Sequence, residues 1–204
     1  MSDIFLVFFF SYSSGSIPFG LILAKYFGGK DIRKIGSGNI GATNVLRTGK
    51  KLLALLTLLL DGLKGYIPIV ITQKYFPELI HLSCILVFIG HVFPVWLKFK
   101  GGKGVATYLG VLFALSIQLA FLFIFTWVVV SLIFKYSSLS SIFSSLTVFV
   151  VTLLKEEALS ILSSNSSANY NFKFVLFAFF VLIVFTHRKN IINLKNKTEN
   201  KIKI

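Results

Sequence analysis

The chain has 204 residues, of which 55% are hydrophobic and 23 are Phe, and its 21 basic and 7 acidic residues give a net charge of +14. A water-soluble domain with this little polar surface would expose large apolar patches and aggregate, so the composition excludes an ordinary soluble protein. The one cysteine, Cys84, excludes an intramolecular disulfide and a Cys-x-x-Cys redox or zinc site. The three histidines have no second ligand at metal spacing, so we expect no bound metal.

Seven apolar stretches predict an all-α fold, a polytopic integral membrane bundle of about seven transmembrane helices, some of them short. In chain order they are residues 4–27, 52–73, 79–97, 105–115, 117–134, 139–154 and 172–186. The apolar run 105–134 is too long for one helix across a hydrocarbon core of about 30 Å and short for two. We therefore predict a break at residues 116–118, between a half-length helix and a longer partner. We expect one integral membrane domain over residues 1–204.

The positions of the basic residues predict the orientation of the bundle. Six Lys or Arg lie at 28–51, three at 98–103, one at 135 and six at 187–204, all on one side of the predicted membrane. The opposite side carries Lys74, Lys155 and Lys173. This bias predicts an amino terminus outside the cell and a carboxyl terminus in the cytoplasm. Binding to nucleic acid explains the charge less well, because the basic residues lie in short loops rather than on one helical face.

Residues 36–44, Gly-Ser-Gly-Asn-Ile-Gly-Ala-Thr-Asn, followed by Arg47, form the most polar loop of the predicted cytoplasmic side. Each internal glycine costs a helix about 1 kcal/mol relative to Ala, so this stretch is not expected to be one stable helix. Irregular backbone of this kind avoids lipid, but it can turn successive N–H groups toward an anion beside an arginine. The stretch predicts a phosphate pocket.

A second glycine cluster, Lys100–Thr107, ends one predicted loop and starts a helix. Glycines at a helix amino terminus let backbone donors approach phosphate, and Lys103 adds a positive charge. The cluster does not satisfy the Walker pattern, because Gly104 follows the lysine and position 97 is Leu. Taken alone, it is also compatible with a basic loop beside the membrane.

Four smaller clusters carry polar groups. Asp61 and Lys64 lie at i and i+3 inside a leucine-rich span, where we interpret them as a structural ion pair rather than a catalytic one. Ser138 begins a span and is either a helix cap or a hydroxyl of the phosphate site. His187 and Asn190, also at i and i+3, begin the basic tail and would both face a cavity. Residues 15–20, Gly-Ser-Ile-Pro-Phe-Gly, are either a kink or packing face or a wall of the site.

Together these motifs closely resemble the PlsY-type acyl-phosphate:glycerol-3-phosphate 1-acyltransferases of bacterial membranes. The resemblance rests on their order and spacing over residues 15–18, 36–47, 61–65, 91–94, 100–107 and 187–199. It implies transfer of a fatty acyl group from acyl phosphate to the 1-hydroxyl of glycerol 3-phosphate, giving lysophosphatidic acid and inorganic phosphate. It also implies an inner-membrane enzyme with a cytoplasmic site, no cofactor, and no acyl-CoA or acyl carrier protein as direct donor.

The resemblance also implies roles for particular residues. The implied catalytic residues are Ser37, Arg47, Lys103, His187 and Asn190. The implied substrate-binding residues are Gly36, Gly38, Asn39, Gly41, Thr43, Asn44, Gly101, Gly102, Gly104 and Ser138. Arg47 and Lys103 would bind phosphate, and His187 and Asn190 would bind glycerol 3-phosphate. The tail departs from the family pattern at Asn193, usually basic, and at Lys197, usually glycine, whereas Thr198 and Glu199 agree with it.

Three other interpretations fit the sequence less well. A membrane transporter for small phosphorylated anions would need an exit on the outer face, where the predicted loops carry three basic residues and no glycine cluster. A non-catalytic scaffold would not explain two glycine loops, because glycine has an entropic cost without a packing benefit. The His-x-x-x-x-Asp pair of soluble-type glycerolipid acyltransferases is excluded. The residues five positions after the three histidines are Leu86, Trp96 and Ile192.

Overall fold

The computed structural model describes residues 2–29, 31–162 and 172–202 and, within these, the backbone alone at 155–162. All regular secondary structure in the described residues is helical. The α-helices are α1 Ser2–Ser16, α2 Phe19–Tyr26, α3 Ala42–Leu46, α4 Lys51–Tyr75, α5 Ile80–Val92, α6 Val105–Leu115, α7 Ile117–Phe134, α8 Ser137–Leu162, α9 Lys173–Thr186 and α10 Arg188–Lys195. Short 3-10 turns lie at Ile32–Lys34, Pro77–Leu79 and Val95–Leu97.

Five helical stretches in the described residues are long and apolar enough to cross a membrane, or six if α9 and α10, bent by 56°, are one span. The predicted all-helical fold is therefore confirmed, and these five or six long apolar stretches compare with about seven predicted membrane helices, some of them short. The difference lies in α6, whose 11 residues rise only about 16 Å, roughly half a hydrocarbon core. The predicted break in the run 105–134 is confirmed at Ser116, which separates α6 from α7.

The first predicted span is two helices. Pro18 lacks a backbone N–H and disfavours helical backbone at the residue before it, so α1 ends at Ser16 and α2 begins at Phe19. Two alternatives were predicted for residues 15–20. The structure shows the first of them, a kink and packing face. A Cβ on Gly15 would clash with the carbonyl of Val87, so α1 and α5 touch through their backbones.

The chain divides into two compact units, residues 1–117 and 118–204. In the first unit α4 and α6 pack backbone to backbone. A Cβ on Gly65 would clash with the carbonyl of Thr107, and one on Gly110 would clash with that of Gly62. Small residues permit this closeness between membrane helices. The amino-terminal end of α6 is thereby held against the middle of α4.

The second unit is built on serines and aromatic rings. Five serines of α8 are buried, namely Ser138, Ser140, Ser141, Ser144 and Ser145, and Ser141 accepts a hydrogen bond of 3.2 Å from the indole of Trp127 in α7. Phe149 of α8 packs against Phe177 of α9, with ring centroids 5.3 Å apart. The tail returns to this unit, because the Ile202 amide donates to the Lys135 carbonyl at 2.7 Å.

Candidate active site

The first glycine loop, residues 36–47, is introduced by a 3-10 turn with its own ion pair. Asp31 caps the turn by accepting from the Arg33 amide at 3.0 Å, and its carboxylate also pairs with the Arg33 guanidinium at 2.7 Å. The hydrogen bond from the Arg33 side chain lowers the pKa of Asp31 to about 2. Arg33, which precedes the loop in the chain, is therefore paired with the carboxylate of Asp31.

Asn44 holds the first glycine loop together. Its side chain is 1% exposed, and its Nδ2 donates to the carbonyls of Ile32, Ile35 and Asn39 at 2.8, 3.0 and 2.8 Å. Its Oδ1 accepts from the amide of Ser37 at 3.1 Å. One amide side chain thus bonds backbone groups along residues 32–39, of which only Ile32–Lys34 are helical. Asn44, predicted to bind substrate, contacts the loop from inside.

Gly36 lies beneath the side chain of Arg47. Its φ of 55° favours glycine, and a Cβ there would lie 2.6 Å from Oδ1 of Asn44 and 2.9 Å from Cδ of Arg47. The Arg47 side chain therefore lies over the Gly36 backbone, next to Ser37, and both side chains are exposed. The predicted hydroxyl of Ser37 and guanidinium of Arg47 are both accessible.

The other predicted residues of this loop lie around the start of α3. Gly38 is exposed, and its amide donates to the Ile35 carbonyl at 3.0 Å. Asn39 accepts from the Gly41 amide at 3.2 Å, and Gly41 is the residue before α3. Thr43 lies on α3 with its side chain exposed. These contacts fold the loop while the side chains of Ser37 and Arg47 stay exposed.

The second glycine loop, residues 98–104, is pressed against the end of α5. The amides of Gly101 and Gly102 donate to the carbonyls of Val92 and His91 at 3.0 and 3.1 Å. Both predicted anion donors therefore bind backbone carbonyls of the protein. Gly104 has a φ of 82° and leads into α6, whose first amides have no acceptor within the helix. The groups suited to an anion are Lys103 and the amides after Gly104.

One hydrophobic cluster lies beneath both loops. Ile32, Ile40 and Val45 of the first loop region are buried together, and Leu97, which immediately precedes the second loop, packs against them. The structure thus brings Arg47 and Lys103 onto loops that share one support within the first unit. Sequence spacing alone did not predict this cluster.

A buried polar cluster joins the second loop to α4. Asp61 and Lys64 form the predicted ion pair at 2.8 Å, with side chains 4% and 3% exposed, and Lys64 also donates to the Ile17 carbonyl at 2.6 Å. His91 lies beside this pair, with Nδ1 2.9 Å from the hydroxyl of Thr107 and 4.0 Å from Asp61 Oδ1. The sequence analysis includes His91 only as part of the motif at residues 91–94 and predicts no role for it.

The second unit places two predicted site residues, Asn190 and Ser138, around one carboxylate, together with Asn193. Oε1 of Glu199 accepts from Asn190 at 2.6 Å and from Ser138 at 3.0 Å, and Oε2 accepts from Asn193 at 3.3 Å. His187 is buried, with Nδ1 2.8 Å from the Ile183 carbonyl. Because a carbonyl only accepts, Nδ1 carries the proton in this contact. The signal for Glu199 was available in the sequence, since it is the single acidic residue of the basic tail 187–204.

Comparison with known proteins shows which family the chain is similar to. The model of the glycerol-3-phosphate acyltransferase family matches residues 5–197. The glycerol-3-phosphate acyltransferase of Pelagibacter ubique is 53% identical over 194 residues, which cover 95% of each chain. That of Mesorhizobium japonicum is 50% identical over 194 residues, 95% of this chain and 93% of the relative.

Solved structures give the same result. The crystal structure of PlsY, an integral membrane glycerol 3-phosphate acyltransferase, in its glycerol 3-phosphate form has a TM-score of 0.87 and 35% identity, covering 98% of this chain and 96% of that one. Its lysophosphatidic acid form has a TM-score of 0.86 and 34% identity. With a family model and close relatives that span almost its whole length, the chain belongs to the glycerol-3-phosphate acyltransferase family.

Proposed function

We propose that the chain transfers a fatty acyl group from acyl phosphate to the 1-hydroxyl of sn-glycerol 3-phosphate, the first step of phospholipid biosynthesis. The observation that carries the proposal is the pairing of two glycine loops on one hydrophobic cluster, one presenting Arg47 and the other Lys103. Both substrates carry a phosphate, so the reaction needs two anion-binding elements close together. The glycerol 3-phosphate and lysophosphatidic acid forms of PlsY support the acceptor and the product.

The reaction does not require a nucleophilic side chain of the protein, because the substrate hydroxyl is the attacking group. The hydroxyl oxygen attacks the acyl carbonyl carbon, the bond from that carbon to the phosphate oxygen breaks, and inorganic phosphate leaves. Asp31, Asp61 and Glu199 already hold ion pairs or hydrogen bonds. We therefore propose that the substrate's own phosphate accepts the hydroxyl proton, and that the protein contributes positioning and charge stabilisation.

Each predicted residue has a place in this scheme. Arg47 and Lys103 bind phosphate, aided by the Ser37 hydroxyl and by the amides after Gly104. His187 and Asn190 bind glycerol 3-phosphate, with Ser138 assisting. Asn44 contributes by holding the first glycine loop in place. Gly101 and Gly102 contribute by packing the second glycine loop against the end of α5. We propose one integral membrane acyltransferase domain over residues 1–204.

The membrane placement follows from charge and apolar surface. We propose a multi-pass protein of the bacterial inner membrane, with about seven membrane helices, its amino terminus outside and its carboxyl terminus and active site at the cytoplasmic face. Exposed phenylalanines along α1 and α7 give the helices a lipid-facing surface, so the acyl chain can enter from the bilayer. Neither acyl-CoA nor acyl carrier protein is the direct donor in this scheme.

The test uses purified protein in detergent or lipid mesophase with palmitoyl phosphate and glycerol 3-phosphate. Phosphate release is followed together with formation of lysophosphatidic acid by mass spectrometry. Release that requires both substrates supports the proposal. Activity with palmitoyl-CoA in place of palmitoyl phosphate would contradict the proposed donor, and phosphate release without glycerol 3-phosphate would indicate a hydrolase. A folded protein that binds glycerol 3-phosphate without turnover would favour an anion transporter.

A matched pair of lysines sharpens the experiment. Lys103→Ala removes the proposed phosphate-binding charge, whereas Lys100→Ala removes an exposed lysine three positions earlier. We expect activity to fall about ten- to 150-fold for the first, because a lost charge-assisted contact costs about 1.5–3 kcal/mol. The second should retain activity within about twofold of the native protein, because exposed charges contribute little. Equal losses in both variants would show that bulk loop charge, not the position of Lys103, matters.

A further inference from the structure

We infer that His91 is a positioning residue for the second glycine loop, which it supports through its ring, its carbonyl and its contact with Thr107. The inference rests on the proposed function, because it gives His91 significance through the phosphate that this loop binds. His91 lies near the end of α5, where its side chain is 4% exposed. It therefore does not reach substrate itself.

The first step is the contact between His91 and Gly102. A Cβ on Gly102 would clash with Nε2 of the imidazole and would lie 3.1 Å from both Cδ2 and Cε1. The loop backbone therefore lies directly on the ring. The carbonyl of His91 also accepts from the amide of Gly102 at 3.1 Å. One residue thus holds the same point of the loop by its side chain and by its backbone.

The second step is the contact that sets the orientation of the ring. Nδ1 of His91 lies 2.9 Å from Oγ1 of Thr107, and the threonine side chain is fully buried. Thr107 is the third residue of α6. The imidazole therefore spans the distance from Gly102 to the first turn of that helix. Lys103 and Gly104 lie between these two supports.

The third step connects the ring to the rest of the first unit. Oδ1 of Asp61 lies 4.0 Å from Nδ1 of His91 and 2.8 Å from Nζ of Lys64. Lys64 in turn donates to the carbonyl of Ile17, directly after α1. Segments of α1, α4, α5 and α6 therefore meet at this cluster. The two charges of the ion pair are buried and lie 2.8 Å apart, so neither is left as an uncompensated charge beside the ring.

The functional consequence concerns the geometry of the anion-binding groups. Charge stabilisation is effective when donors are held in place before the substrate arrives. The His91–Thr107 contact holds the two ends of the segment that carries Lys103. Weakening the His91–Thr107 contact should reduce the affinity for phosphate more than it reduces turnover of the bound substrates. The KM should therefore change more than kcat.

The experiment compares three threonine variants. Thr107→Val keeps the shape but removes the hydroxyl, and Thr107→Ser keeps the hydroxyl. Thr72→Val is the matched control, since Thr72 is also buried and donates to Ser83 at 3.1 Å, away from the loop. The measurements are kcat, the KM for palmitoyl phosphate and for glycerol 3-phosphate, the unfolding midpoint, and the shift of that midpoint by inorganic phosphate.

We expect Thr107→Val to raise the KM for at least one substrate about three- to tenfold, as loss of one buried hydrogen bond implies, with kcat within about twofold. Its midpoint should respond less to inorganic phosphate. Thr107→Ser and Thr72→Val should keep the native KM, and Thr72→Val should match Thr107→Val in lost stability. As a second variant, His91→Asn keeps an amide near Thr107 but cannot reach Gly102, and it should raise the KM similarly.

Three outcomes separate the inference from the proposed function. If the native protein is active and both Thr107→Val and His91→Asn retain its KM and its response to phosphate, the positioning role is wrong while the function stands. If the native protein is not a transferase but its midpoint rises with phosphate and this rise needs Thr107, the positioning role stands and the function is wrong. If the native protein neither transfers nor responds to phosphate, both are wrong.

Discussion

Asn190 donates a hydrogen bond of 2.6 Å to Glu199, nine residues later in the chain, and the same carboxylate oxygen accepts from Ser138 at 3.0 Å. The tail is therefore folded back onto the two side chains proposed to handle glycerol 3-phosphate. The expected departure at Asn193 has a structural counterpart, since its amide donates to the other oxygen of Glu199 at 3.3 Å.

Replacement of Glu199 should disorganise this arrangement. Glu199→Ala removes the acceptor of three hydrogen bonds, each worth about 0.5–3 kcal/mol, so we expect lower activity and a lower unfolding midpoint. Glu199→Gln keeps one acceptor oxygen for Asn190 and Ser138 and should fall between the alanine variant and the native protein. Transferase assays and thermal unfolding check this. Native-like behaviour of the alanine variant would contradict it.

Asn44→Asp should unfold the first glycine loop. The substitution keeps the oxygen that accepts from Ser37 but places a second oxygen against three carbonyls. Leaving buried polar groups unpaired costs about 1–3 kcal/mol each, so we expect severe loss of activity and rapid proteolysis within residues 32–47. Asn39→Asp is the control for stability, because Asn39 uses only its oxygen, toward Gly41. Equal protease resistance of the two variants would disprove the role of Asn44.

Gly65→Ala and Gly62→Ala should behave differently although they lie on one helix. The Cβ on Gly65 would clash with the Thr107 carbonyl, whereas the nearest atom to a Cβ on Gly62 is the Ala106 carbonyl oxygen at 3.7 Å. Overpacking costs about 1–3 kcal/mol, so Gly65→Ala should lower the unfolding midpoint. Gly62→Ala should keep or raise it, since alanine favours helix by about 1 kcal/mol. A midpoint lowered equally by both would mean that helix separation is adjustable here.

The Asp61–Lys64 pair should be more damaging to break than to replace. Removing one partner of a buried ion pair costs about 3–5 kcal/mol, because the other charge is left uncompensated. We therefore expect Asp61→Leu and Lys64→Met each to destabilise the protein more than the double variant. Thermal unfolding of the three variants, with wild type as reference, measures the coupling. A double variant that is less stable than either single variant would contradict this account.

Lys197→Gly should stabilise the tail. Lys197 has a φ of 57°, a left-handed conformation that costs a non-glycine residue about 1–2 kcal/mol. This finding explains why glycine is the expected residue at this position. Lys195→Gly is the opposite control, because Lys195 is the last residue of α10 and glycine weakens helices. The unfolding midpoint should rise in the first variant and fall in the second, and a fall in both would rule out the strain.

The sequence alone determined the features that depend on residues close together along the chain. Apolar runs predicted the long helices. The length of the apolar run 105–134 predicted a break within it, and a spacing of three residues paired Asp61 with Lys64. Both glycine loops were recognisable because their composition is unsuited to helix. Hydrophobicity and backbone preference are local properties, and they can be assessed within a short window of sequence.

Only the tertiary structure decided what the polar groups of those loops contact. Gly101 and Gly102 were expected to offer amides to phosphate, yet their amides bind carbonyls at the end of α5. Asn44 faces its own loop, and His91 contacts the second loop from another helix. A glycine has the same appearance in a sequence whether it serves a positive φ, a close approach or a ligand. The partner that distinguishes these cases is brought near by packing of distant segments.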